Sequence, residues 1–201
     1  MRPPQFGADI TNQAAVMHCT RMAGRAIIRV VGRCTEAQEN NNLDLSECQL
    51  MQVPDAVYHL MRHTALKGCN LSSNVITKLP PKFAVKFSLI TDLNLARNQM
   101  SRLPDELADL NELIHLDISH NSFTTLPHAV YKMPKLVKLS AHNNYIIDVE
   151  VERLQEAPSL QEVDLQNNPL SARTHTALEA VTSPHILVSV REVEDWEDLT
   201  V

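Results

Sequence analysis

Side chains able to do acid–base or metal chemistry are plentiful in this chain, but they are scattered. Its 201 residues include nine histidines, four cysteines and 24 acids. The sequence has no phosphate-cradling G-x-x-x-x-G-K-[ST], no dinucleotide G-x-G-x-x-G, no nucleophile elbow G-x-S-x-G and no zinc-binding H-E-x-x-H. None of the histidines has zinc-finger spacing. One group invites a test: His115, Asp117, His120 and His142 offer donor types that zinc accepts. Stacking the chain by its own repeat, however, sets Lys138 beside His115, and an ammonium there opposes a cation. The expectation is therefore no enzyme, no metal and no cofactor, with these residues forming part of a polar surface.

The cysteines carry no disulfide framework. Cys48 and Cys69 fall at inward positions of the repeat described below, and Cys19 and Cys34 fall within one predicted helix. Neither end has a cysteine cluster and the start has no apolar signal region, which points to a reducing, cytoplasmic setting. Asn70-Leu71-Ser72 is a formal glycosylation sequon, expected to be idle in that compartment.

The elements that position these residues come from an internal repeat. Shifting Ile90 to Pro127 by 23 residues lays Ile90 on Leu113, Leu93 on Leu116 and Leu95 on Ile118; Asn98 falls on Asn121, Met100 on Phe123, Leu103 on Leu126 and Pro104 on Pro127. The pattern is L-x-x-L-x-L-x-x-N-x-L-x-x-L-P. Its x-L-x-L-x part is a short strand with leucines inward and the intervening residues outward. The asparagine closes the strand by satisfying backbone groups at a tight bend. One unit cannot bury its own leucines, but a stack can.

Cys48, Asn74, Asn98, Asn121, Asn144 and Asn168 set the register of six units, with cysteine standing in for asparagine in the first. The expected fold is α/β: a right-handed solenoid with a parallel sheet on its concave side. In the fifth unit Ala141 replaces a leucine, and Tyr145 or Met133 is expected to fill that volume.

Numbering each unit from its first leucine, the third, fifth, seventh and eighth residues are expected to point outward. The third column is Asn42, Gly68, Asp92, His115, Lys138 and Glu162; the fifth is Asp44, Asn70, Asn94, Asp117, Ser140 and Asp164. Seventh and eighth positions add Arg97, Ser119, His120, His142 and Asn143. From these, Asp92, Asn94, Arg97, His115, Asp117, His120, Lys138, His142, Glu162 and Asp164 are the expected protein-binding residues of the concave face. The return segments, such as DELADL and VEVERLQEA, are expected to be ordinary soluble surface.

Three parts are expected: residues 1–39 as tail and amphipathic capping helix, 40–171 as repeats, and 172–201 as a C-terminal cap with an acidic tail. Over about Thr11 to Glu39, Val16, Cys19, Ala23, Ile27, Val30, Val31 and Cys34 share one helical face. Arg21, Arg25, Arg29 and Arg33 form a stripe on the other, expected to face solvent. The preferred role is a cap over the first repeat. The alternatives are a basic helix lying on an anionic membrane surface or partner, and a mitochondrial targeting segment. At the other end, Ala172 to Ser183 is expected to be a helix and His185 to Val190 a last strand. Trp196 is expected to fold back as a closing cap, and Asp198-Leu-Thr-Val201 has the alternation of a PDZ ligand.

Charge narrows the partner. The net −6 is uneven: residues 1–35 hold five arginines and one aspartate, and residues 184–201 hold five acids and one arginine. The repeat body is acidic, which argues against nucleic acid. No stretch approaches the ~20 apolar residues of a membrane span.

On the repeat motif, LDLSECQL in the first unit, and the turn from Asn144 to Leu154 in the fifth, the chain resembles small intracellular members of the leucine-rich repeat superfamily. The resemblance implies a cytosolic, non-enzymatic repeat protein without catalytic residues. An unidentified protein partner on the concave face, bound by a monomer, is the expected function.

Overall fold

In a computed structural model, residues 27–190 are described. The inward positions of the repeat build its core. Leu93, Leu95, Leu113, Leu116, Ile118, Leu139, Val163 and Leu165 are all at most 2% exposed. Each strand is only three residues long, enough to present one inward side chain between two outward ones. The strands are β1 (Asn42–Asp44), β2 (Gly68–Asn70), β3 (Asp92–Asn94), β4 (His115–Asp117), β5 (Lys138–Ser140), β6 (Glu162–Asp164) and β7 (His185–Leu187). They form one parallel sheet in sequence order. The register sets Asp92 beside His115, His115 beside Lys138 and Lys138 beside Glu162.

The return segments differ in length and therefore in form. After the first helix, α1 (residues 27–40), come α2 (Asp55–Leu60), α3 (Lys82–Lys86), α4 (Val151–Gln155) and α5 (Ala172–Glu179). The third and fourth units, shorter by at least a residue, return through 3-10 turns at Asp105–Asp109 and His128–Lys132. Aromatic rings fill the wider first two units: Tyr58 stacks on Phe87 at 5.4 Å, and Phe83 meets Phe87 edge-on at 5.2 Å. In the fifth unit Met133 is buried while Tyr145 is 61% exposed, so Tyr145 does not fill the space beside Ala141.

The asparagines tie unit to unit. Asn121 Oδ1 accepts from Met100 N–H at 3.0 Å, one unit back. Its Nδ2 donates to the carbonyls of Leu95, Ile118 and Ser119. Asn74, Asn98, Asn144 and Asn168 repeat the arrangement.

Cys48 has no amide, and α1 supplies the missing donor. In later units the asparagine donates to the carbonyl two residues before it; before Cys48 that carbonyl is Ser46's, and Arg33 Nη1 donates to it. Arg29 Nη1 takes the next carbonyl, Glu47's, at 3.1 Å. Arg33 thus lies half-buried against the first unit, because open backbone carbonyls there need donors, while Arg29 reaches its carbonyl from an exposed position. Val30, Cys34 and Ala37 are buried, but Ile27 (65%) and Val31 (43%) are not, so the buried stripe is narrower than expected. The arginines hold the helix on its other side, which limits how far it can roll onto the core. Val16, Cys19, Ala23, Arg21 and Arg25 lie outside the described residues.

At the far end, α5 stops at Glu179, short of Ser183. Ser171 caps it by accepting from Thr174 N–H. β7 closes the sheet, and Ser189 Oγ accepts from Asn167 N–H at 2.8 Å, where an inner unit would offer a backbone carbonyl. Trp196 and the C-terminal Leu-Thr-Val lie outside the described residues.

Candidate functional site

The polar face is built from the outward residues of each strand and of the turn that follows. From β3 to β6 its third column carries no backbone duty and is organised as ion pairs, whereas Asn42 on β1 donates to the Asn40 carbonyl. His115 Nδ1 lies 2.6 Å from Asp92 Oδ1, and Lys138 Nζ lies 2.7 Å from Glu162 Oε1. All four side chains are more than a third exposed. Burial raises the Asp92 carboxyl, but hydrogen bonds from Thr91 and His115, with the imidazole's charge, outweigh it and hold it below its usual range. The hydrogen bond and charge of Glu162 hold Lys138 above the usual range.

The fifth column has a second task. Oδ1 of Asp44, Asn70, Asn94, Asp117 and Asp164 accepts the backbone N–H two residues on, at 2.9–3.0 Å. In Asp44, Asp117 and Asp164 one oxygen therefore shapes the turn and the second is left outside it, while in Asn70 and Asn94 the amide nitrogen is left. Asp117 is not simply a solvent-facing recognition group, since it holds the Ser119 N–H.

Seventh and eighth positions part company. Ser119 is 2% and Ala96 7% exposed, so the seventh position is covered in the third and fourth units, while Ser46 and Ser72 in the first two are half-buried. The eighth residues Glu47, Ser73, Arg97, His120, Asn143 and Asn167 all have φ between 53° and 57°. That left-handed conformation lets their N–H groups extend the ladder, as Arg97 N donates to Ser119 O at 2.9 Å and His120 N to His142 O at 3.0 Å. Sequence reasoning placed this column outward but missed its left-handed backbone, although two asparagines in it were a signal, asparagine being enriched in that region.

His142, too large to be hidden like Ser119, sits half-buried between its neighbours. Its ring meets the His120 ring edge-on at 5.2 Å. Its Nδ1 is shielded and 3.2 Å from Asp164 Oδ2, close enough for an ion pair but without the alignment of a hydrogen bond. Burial, then the charges of Arg97 and His142, lower the His120 pKa against the pull of Asp117. The ten expected residues thus fall on one face of β3–β6 and the turns that follow.

At Gly68 the Asn42 side chain lies across the bare backbone. A Cβ there would stand 2.5 Å from Asn42 Oδ1. The groove over β1–β5 encloses about 440 Å³, lined by Asp44, Asn70, Asp92, Asn94, His115 and Lys138 among others. Among the described residues, no group of three or more histidines, cysteines or acids is arranged to hold a metal ion. Cys34, Cys48 and Cys69 are buried free thiols. Burial pushes Cys69 up to about 12, so it is no nucleophile.

The Leucine rich repeat family profile matches residues 64–123 and 88–146. Mouse Leucine-rich repeat-containing protein 20 is 33% identical over 76% of this chain and 85% of its own length. This chain belongs to the leucine-rich repeat family. The human Leucine-rich repeat-containing protein 20 is also 33% identical, over 45% of this chain and 51% of its own length. Among solved structures, the TLR13–ssRNA13 complex superposes with a TM-score of 0.63 at 20% identity, covering 77% of this chain and 23% of that one. The leucine-rich repeat domain of APL1B gives 0.57 at 22% identity, covering 74% and 41%. At these identities the two leucine-rich repeat structures speak for the fold alone. Leucine-rich repeat domains are in general protein-interaction modules. No helix among the described residues is long and apolar enough to cross a membrane.

Proposed function

We propose that this leucine-rich repeat chain is a non-enzymatic binding module that seats a protein partner on the concave face of β2–β6. The observation behind it is the third column, where Asp92, His115, Lys138 and Glu162 stand in register, exposed and free of backbone duties. Mixed charge of this kind orients a partner and rejects wrong ones more than it adds raw affinity. The return segments carry ion pairs too, Lys82 with Asp55, Lys135 with Glu112 and Arg153 with Glu150, but these are separate pairs rather than one column in strand register. The free buried thiols suit a reducing, cytoplasmic setting, and the chain is taken to act as a monomer.

The experiment is affinity capture with the intact chain and two double variants. His115→Ala with Lys138→Ala should lose the specific partner while keeping the unfolding midpoint, because neither side chain holds backbone. Glu106→Ala with Asp109→Ala, on the return segment, should keep it. The reverse pattern moves the site to the convex side.

A further inference from the structure

The concave face holds its imidazoles against its carboxylates. His115 lies at 2.6 Å from Asp92, and His142 at 3.2 Å from Asp164. Resting on the concave-face reading above, we propose that protons and a lysine- or arginine-bearing partner segment compete for these carboxylates. The chain then holds its partner at neutral pH and releases it when His115 and His142 charge.

The partner's chemistry follows from complementarity. Asp44, Asp92, Asp117, Glu162 and Asp164 occupy the third and fifth columns, against Lys138 there, Arg97 at the column's edge and Arg33 of α1, 3.6 Å from Asp44. Lys138 is already taken by Glu162. With neutral imidazoles, the face presents excess negative charge beside a groove of about 440 Å³. A cationic side chain of the partner fits that groove and meets the oxygens of Asp44 and Asp117 not used in the turns, and a second reaches Asp164 on the next strand, β6.

Each neighbouring strand contributes to the proton response. From β3, Asp92 favours charge on His115, and Arg97 opposes charge on His120. From β5, Lys138 stands beside His115 in the register and opposes it. From β6, Asp164 favours charge on His142 and Glu162 offsets Lys138; beyond it, exposed His185 on β7 pairs in register with Glu162. His120 lies against His142, so the two rings do not charge independently. A proton on His142 turns a close but misaligned contact into an attraction, and Asp164 is withdrawn from the partner. A proton on His115 adds charge to the hydrogen bond it already makes with Asp92 and tightens its hold on that carboxylate.

The test uses the full-length chain and a fluorescein-labelled peptide of alternating lysine and glycine, with its glutamate counterpart as control. Anisotropy is read at constant ionic strength, at about pH 7.5 and about pH 5.5, on either side of the usual histidine pKa. Amide shifts of the 15N-labelled chain report where the peptide sits. The lysine peptide should shift amides of β3–β6 and lose about tenfold in affinity at the lower pH, the size expected from two weakened ion pairs. His115→Gln with His142→Gln should flatten that dependence. Asp164→Asn, which keeps the turn oxygen, should weaken binding at the higher pH and reduce its pH dependence. Binding at β3–β6 that does not vary with pH, or varies equally in the histidine variant, overturns the proton competition and leaves the concave site standing. Shifts confined to other regions, or preference for the glutamate peptide, overturn the cationic partner. The concave site itself is then judged by the capture experiment.

Discussion

At the scale of single residues, the buried amides decide stability and the exposed imidazoles decide pH response. Asn121 makes one accepting and three donating bonds between two units and is 6% exposed. Replacing it with alanine strands those backbone groups and should cost about 1–3 kcal/mol, as read from urea unfolding. Asn168→Ala should cost less, because Asn168 is only half-buried near the open end, where water can reach the stranded groups. The left-handed column gives a second contrast. Ser73 has φ of 56°, a conformation costing about 1–2 kcal/mol with a Cβ, of which glycine's extra chain entropy offsets about 0.5–1 kcal/mol. Ser73→Gly should therefore hold or raise the midpoint, and Ser72→Gly should lower it.

Alongside the lowered carboxyls of Asp55, Glu112 and Asp148, His120 and Asp92 shape the acid side of the stability curve. Both pKa values lie below the usual ones, so each group favours folding above its unfolded pKa and loses that contribution as pH falls. Stability should decline first below about pH 6.5 and again below about pH 4. His120→Gln should remove the first limb in a urea series against pH and leave the second. The outward columns were legible in the sequence because the period of two and the asparagine register fix which side chains share a face. The burial of Ser119 was not, because it depends on how tightly the turn closes. Nor was the second role of Asp117, since an Asx turn is a matter of backbone approach.

At the scale of elements, the first helix and the first repeat form one hydrogen-bonded unit. The sequence showed an amphipathic helix and a cysteine in the asparagine column as separate facts. What joins them is Arg33, whose guanidinium donates to the carbonyl an asparagine would have taken, and no periodicity announces such a contact. Arg33→Ala should lower stability by about 1–3 kcal/mol, the range for losing a charged hydrogen bond. Cys48→Asn should recover much of that loss in the Arg33→Ala background and gain little in the native one. A double-mutant cycle of thermal or urea midpoints checks the coupling. Equal effects of Cys48→Asn in both backgrounds would mean that helix and ladder act independently.

At the scale of the whole molecule, the stack does two jobs with two sets of residues. Inward leucines and the asparagine ladder make a scaffold whose strength is shared among neighbours. Outward third-column residues contribute little to that strength and can vary with the partner. The repeat made the fold legible because a solenoid repeats its own constraint in every unit. Which outward residues matter was less legible, since the same aspartates shape turns and face the groove. Site-specific photocrosslinking addresses that point directly. A benzophenone amino acid is placed at position 115 or 138 on the concave face, or at 106 or 109 on the return segment, and each full-length protein is irradiated in cells. The concave positions should yield a discrete crosslinked partner and the return positions none. Crosslinks from 106 and 109 alone would contradict a concave binding face.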